Sequence, residues 1–119
     1  MIPSLLSIAA LLFAAPAAAP APLPAPARLQ VGADEFHFVL SRGTLRSGDA
    51  ILELVNYGED DHDLRLRRSG GTRTYRVAAV RPGGLKRLET KLAPGRFLLW
   101  CSLSDHRSRG MTARLDVRG

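Results

Sequence analysis

From Arg28 to the C-terminus, apolar residues recur at every second position in short runs, and Gly, Pro, Asp or Asn interrupts each run. Ala50, Leu52, Leu54 and Asn56 fall on one face of such a run. His62, Leu64 and Leu66 share a face, with Asp63, Arg65 and Arg67 on the other. Phe97, Leu99 and Cys101 form a third set, and Ala113, Leu115 and Val117 a fourth. A period of two is that of a strand with one buried and one solvated face. No helix-period segment of useful length follows residue 27, and no repeat is visible. The pattern predicts an all-β domain, an antiparallel sandwich of roughly seven or eight strands.

The expected strands begin with Arg28–Ala33 and Phe36–Leu40. Arg42–Asp49 reads as a loop with two glycines, Ala50–Asn56 as the third strand, and Tyr57–Asp61 as an acidic turn before the strand that His62 opens. Thr74–Val80 and Leu85–Leu92 are further strands, the second with Leu88 and Leu92 inward.

The first 27 residues carry no charged side chain. Ser4–Ala15 is an apolar run of signal-peptide length, too short to span a bilayer comfortably. Small residues follow, and cleavage after Ala17 or after Ala27 would place Ala at both critical upstream positions. The expected organisation is a signal peptide over 1–17, a Pro/Ala spacer over 18–27 and the folded domain over 28–119. An uncleaved leader would tether the domain to a membrane through that spacer. The expected location is therefore outside the cytoplasm.

All 17 basic and all 11 acidic residues lie from Arg28 onward, and the net charge is +6. Such a balance suits an acidic partner. Nucleic acid is not expected, because the basic residues are interspersed with acids and no aromatic-interleaved basic motif occurs. The single cysteine, Cys101, excludes an intramolecular disulfide. In an exported protein a free thiol is open to oxidation, and a role as metal ligand accounts for its presence.

Cys101 opens the segment that carries the chemistry. Cys101, His106 and Met111 stand at C-x4-H-x4-M spacing. Thiolate, imidazole and thioether are the ligand types of a mononuclear copper site for electron transfer. Cu(I) prefers soft sulfur and Cu(II) prefers imidazole nitrogen, so a His2Cys set with a weak axial Met serves both oxidation states. His62 is the candidate for the second histidine. Strand ends would bring all four residues to one end of the sandwich. His37, between two phenylalanines, reads as a surface strand residue, and Asn56 as the pin of the acidic turn.

Pro94–Cys101 with His106, Gly110 and Met111 resembles the last ligand loop of the cupredoxins, the blue copper proteins, and Asn56–Leu64 resembles their first-histidine loop. The resemblance covers roughly Arg28 to Gly119, and its motifs are specific as a set. It implies a Greek-key sandwich holding one type 1 copper per chain. It also implies that the backbone N–H of Asp63 bonds the Cys101 sulfur. Well-known members carry Asn where this chain has Asp63, so a carboxylate here would accept bonds, for instance from Ser102, rather than donate them.

The function implied is single-electron transport between redox protein partners by an exported monomer that is not an enzyme. A copper carrier or chaperone is the alternative. Copper enzymes of this fold need more histidines than the remaining His37, and a binuclear centre needs a second cysteine. Arg107 and Arg109 flank His106 and would form a positive collar for an acidic docking surface, unless the acids at Glu59–Asp61 neutralise them.

Overall fold

The computed structural model describes residues 1–119 and contains nine strands and no helix. No helix is therefore long and apolar enough to cross a membrane. Residues 1–26 carry no regular secondary structure. The strands are β1 (Ala27–Asp34), β2 (His37–Leu40), β3 (Thr44–Arg46), β4 (Gly48–Asn56), β5 (His62–Arg68), β6 (Thr74–Val80), β7 (Leu85–Leu92), β8 (Gly95–Trp100) and β9 (Thr112–Arg118). They form a sandwich of a four-stranded sheet, β2-β1-β4-β7, and a five-stranded sheet, β3-β9-β8-β5-β6.

Alternation builds the core as expected. Leu29, Val31 and Ala33 of β1 are buried, as are Ala50, Leu52 and Leu54 of β4. Opposite them lie Leu64 and Leu66 of β5, Phe97 and Leu99 of β8, and Leu115 and Val117 of β9. Their neighbours Arg67, Arg96, Arg114 and Arg118 face solvent. Each sheet is thus apolar within and charged without, and non-directional apolar burial holds the two layers together.

Two expectations are corrected. The sheets are mixed rather than purely antiparallel, because β1 pairs with β4 and β3 with β9 in parallel. A parallel pair needs a long crossover. Residues 35–47 supply it between β1 and β4, passing through β2 and then through β3 in the other sheet. The second correction is β3 itself, which lies inside the segment expected to be a loop and makes the strand count nine. Its one buried residue, Leu45, packs into the core while Thr44 and Arg46 stay exposed.

Strand direction decides what gathers at each end. β5 starts at His62, β8 finishes just before Cys101, and β9 starts just after Met111. The antiparallel pairing of β5 with β8 and of β8 with β9 puts these three positions at one end of the five-stranded sheet.

Candidate metal centre

At that end Cys101, His62 and His106 bring one ligand atom each within 4.8 Å of one another. Cys101 Sγ and His106 Nδ1 are 3.5 Å apart. The two imidazole rings are tilted, with centroids 5.0 Å apart. Cys101, His62 and Met111 have no exposure and His106 has 7%. The cluster is therefore enclosed, and any ion within it would be held away from bulk water.

The loop 101–111 is shaped by its own backbone. Cys101 N–H donates to Met111 O over 3.2 Å, and Met111 N–H donates to His106 O over 3.1 Å. These bonds close the loop and put Met111 on the same level as Cys101. Gly110 has φ +101°, a conformation that a residue with Cβ adopts only with strain. This explains a glycine directly before Met111.

Beneath the cysteine, the N–H of Asp63 donates to Cys101 Sγ over 3.5 Å. The Asp63 carboxylate accepts from Ser102 N–H at 2.6 Å and also from the Ser102 hydroxyl. Arg65 lies 3.3 Å from the same carboxylate. Asp63 therefore accepts across the site, where an asparagine could also donate. It ties the start of β5 to the residue after Cys101. Burial pushes the Cys101 thiol above its ordinary pKa, so binding a metal as thiolate must release a proton.

Asn56 pins the acidic turn. Its amide donates to Asp60 O at 2.7 Å and Val80 O at 2.9 Å, and its oxygen accepts from Gly58 N–H at 2.8 Å. His37 is exposed on β2, as its alternation requires, and is not part of the cluster.

One residue was not legible in the sequence. Glu35, in the turn between β1 and β2, lies 3.0 Å from His62 Nε2 through Oε1. The same oxygen accepts from Glu59 N–H at 2.8 Å and Asp60 N–H at 2.6 Å. These bonds hold the Glu35 pKa at about 2, down from an ordinary 4.5, the Asp60 N–H contributing most. An ionised carboxylate can only accept, so His62 carries its proton on Nε2. In the neutral ring, Nδ1 then keeps a free lone pair. His62 Nδ1 is also the one buried side-chain nitrogen or oxygen with no hydrogen-bond partner. Buried polar atoms are almost always satisfied, and this one beside a thiol and a second imidazole is a nitrogen left free to bind a metal. Gly58 makes room for the clamp, because a Cβ there would stand 2.5 Å from the Glu35 carboxylate.

The sign of the pH dependence follows from Glu35. A carboxyl whose pKa is lowered by folding adds stability that is fully present above about 4.5 and is lost as pH falls through about 2. In acid unfolding of the metal-free chain, Glu35→Gln should be less stable than wild type at neutral pH. That gap should close across this acid window. A gap unchanged at every pH would contradict the clamp.

The arginines beside His106 are engaged. Arg109 lies 2.8 Å from Asp105 and stacks 4.8 Å from the centre of the Phe36 ring. Arg107 stacks 4.7 Å from the Trp100 ring. Phe36 packs against His106 at 4.9 Å, and Asp60 Oδ2 stands 3.8 Å from His106 Nε2. The positive collar expected from the sequence is thus partly neutralised at the loop that carries it.

The donor set fits a soft-to-borderline metal. One thiolate, two imidazoles and an adjacent thioether residue suit copper in both oxidation states better than hard, oxygen-seeking cations.

No family model and no curated protein sequence matches the chain. Solved structures do. Auracyanin from the photosynthetic bacterium Roseiflexus castenholzii superposes with a TM-score of 0.64 at 13% identity, covering 81% of this chain and 100% of that one. Auracyanin A, described as a "blue" copper protein from Chloroflexus aurantiacus, gives 0.65 at 15% identity, covering 79% and 100%. Amicyanin from Paracoccus versutus gives 0.54 at 16% identity, covering 81% and 85%. Identities this low speak for the fold. This chain is similar in architecture to auracyanin and amicyanin, and it has the cupredoxin fold with a His-Cys-His cluster at one end.

Proposed function

We propose that the chain is an exported protein that carries single electrons between redox partner proteins through one type 1 copper. His62, Cys101, His106 and Met111 are the proposed ligands. In this reading residues 1–17 are the export signal and 18–27 the spacer. The observation that carries the proposal is the orphaned His62 Nδ1 buried beside Cys101 and His106, on a fold shared with a blue copper protein.

Copper, when bound, would supply a one-electron couple between Cu(II) and Cu(I). The chain supplies the rest. Strand ends and three crossing hydrogen bonds hold the ligands, so little rearranges with a change of charge. The Asp63 N–H draws charge from the Cys101 sulfur. Glu35, through His62 Nε2, makes that imidazole a stronger donor. Enclosure of all four residues favours retention of the metal over its exchange, which separates an electron carrier from a copper carrier.

Voltammetry of the loaded chain tests the reading. A reversible one-electron wave is expected. Met111→Leu should raise the potential by removing a thioether donor that would favour Cu(II), and Met111→Gln should lower it. A potential unchanged in both variants would make Met111 core filler. Rapid loss of copper to a chelator without reversible cycling would favour the copper carrier.

A further inference from the structure

The charge of this domain is not spread evenly. The outer face of the four-stranded sheet is balanced. Arg87 pairs with Glu53 at 2.8 Å and Lys91 with Asp49 at 3.6 Å, Arg28 and Glu89 add one charge of each sign, and Asp34 adds one further acid, so this face has no positive excess. The metal end is acidic. Glu35, Glu59, Asp60, Asp61 and Asp105 gather there and outnumber Arg81, Arg107 and Arg109, the last of which is paired with Asp105.

The outer face of the five-stranded sheet differs from both. Directly opposed residues on neighbouring strands point to the same side of a sheet. The register therefore sets Arg76, Arg65 and Trp100 in one row. Arg67, Leu98 and Arg114 form the next row. Arg96 lies beside Asp116 in the third, and Arg46 beside Arg118 in the last. Only Asp63, beneath Arg65, and Asp116, 3.6 Å from Arg118, offset them. Arg76, Arg67, Arg96 and Arg114 are exposed and make no ion pair.

Strands that place like charges side by side lose stability. A cationic ladder of this kind is a cost to the fold, which points to a use outside it. Arg96, Arg114, Leu98 and Asp116 also line a concavity of about 450 Å³ on this face. Leu98 lies half-buried at the centre of the face, and Trp100, half-buried at its metal end, has Arg107 stacked on its ring. A half-buried aliphatic centre bordered by arginine, with a tryptophan at one end, is the composition of a protein interface. Arginine rather than lysine makes the ladder, and its planar fork matches a carboxylate with two hydrogen bonds.

We propose that the outer face of the β3-β9-β8-β5-β6 sheet, rather than the rim around His106, is the docking surface for an acidic protein partner. The acids at the metal end would repel such a partner, and the arginine ladder would attract it. That the partner is a redox protein rests on the electron-carrier reading; the binding surface does not.

The test uses the full chain, metal-free and Cu(I)-loaded, with a poly-glutamate peptide as probe. Amide shift mapping should place the peptide on β5, β8 and β9. Arg96→Gln with Arg114→Gln should weaken binding by about five- to tenfold at low salt, an effect that shrinks as salt screens it. Arg28→Gln with Lys91→Gln removes the same charge from the other sheet and should cost less than about twofold. Equal losses in the two double variants would mean attraction to net charge alone and would overturn the proposal. So would shifts centred on the 101–111 loop. Phosphatidylglycerol vesicles that outcompete the peptide through the same arginines would make the surface a membrane contact and likewise overturn it. Peptide binding retained in a chain that stays colourless with Cu(II) would sink the electron-carrier reading alone.

Discussion

Cys101→Ser is expected to abolish the visible absorption of the Cu(II)-loaded chain while leaving a folded β-sandwich. The intense band of such a site is charge transfer from thiolate sulfur to Cu(II), and Cys101 is the only cysteine. Serine is close in size and fits the buried position. Its oxygen can still accept from the Asp63 N–H that now reaches the sulfur. Its hydroxyl does not ionise near neutral pH and is a poor ligand for Cu(I). The loss of colour should therefore be complete, with far-ultraviolet circular dichroism unchanged. Retained colour would place the chromophore elsewhere.

Glu35→Ala should have the next largest effect. It removes the acceptor of His62 Nε2 and of two turn N–H groups at once. His62 is then free to change tautomer and turn its lone pair away from Cys101. Loss of an outer carboxylate of this kind typically costs about 10- to 100-fold in metal affinity. Nitrogen-15 shifts of the His62 ring in the metal-free chain report the tautomer directly. Wild type should show the proton on Nε2, and Glu35→Ala a mixture. Glu35→Gln keeps one oxygen acceptor and should recover part of the affinity. Unchanged affinity and tautomer in Glu35→Ala would reduce Glu35 to a surface turn residue.

Much of this was legible in the chain because alternation is a local signal. A buried residue at every second position marks strands such as Ala50–Asn56 and assigns their faces. Alternation does not encode which strand lies alongside or in which direction. The parallel pairing of β1 with β4 was invisible for that reason. The strand Thr44–Arg46 was missed because it buries a single residue and depends on β9 for its form.

The same contrast runs through the site. Cys101, His106 and Met111 are rare residue types at informative spacing, and His62 opens an alternating strand. Glu35 is an ordinary acid 27 residues before His62, and only the approach of the β1–β2 turn to the acidic turn makes them partners. The pairing of Arg109 with Asp105 was within reach, since a separation of four residues in a tight loop brings opposite charges together. The arginine ladder was not, because its members come from β5, β6, β8 and β9 and only the register aligns them.

Titration of the metal-free chain with Cu(II), followed by its visible spectrum, tests the central claim most directly. The account predicts an intense blue or green band that grows in proportion to added copper, stops at one equivalent per chain and disappears on reduction. A folded chain that binds Cu(II) yet stays colourless, or that colours only beyond one equivalent, would contradict it.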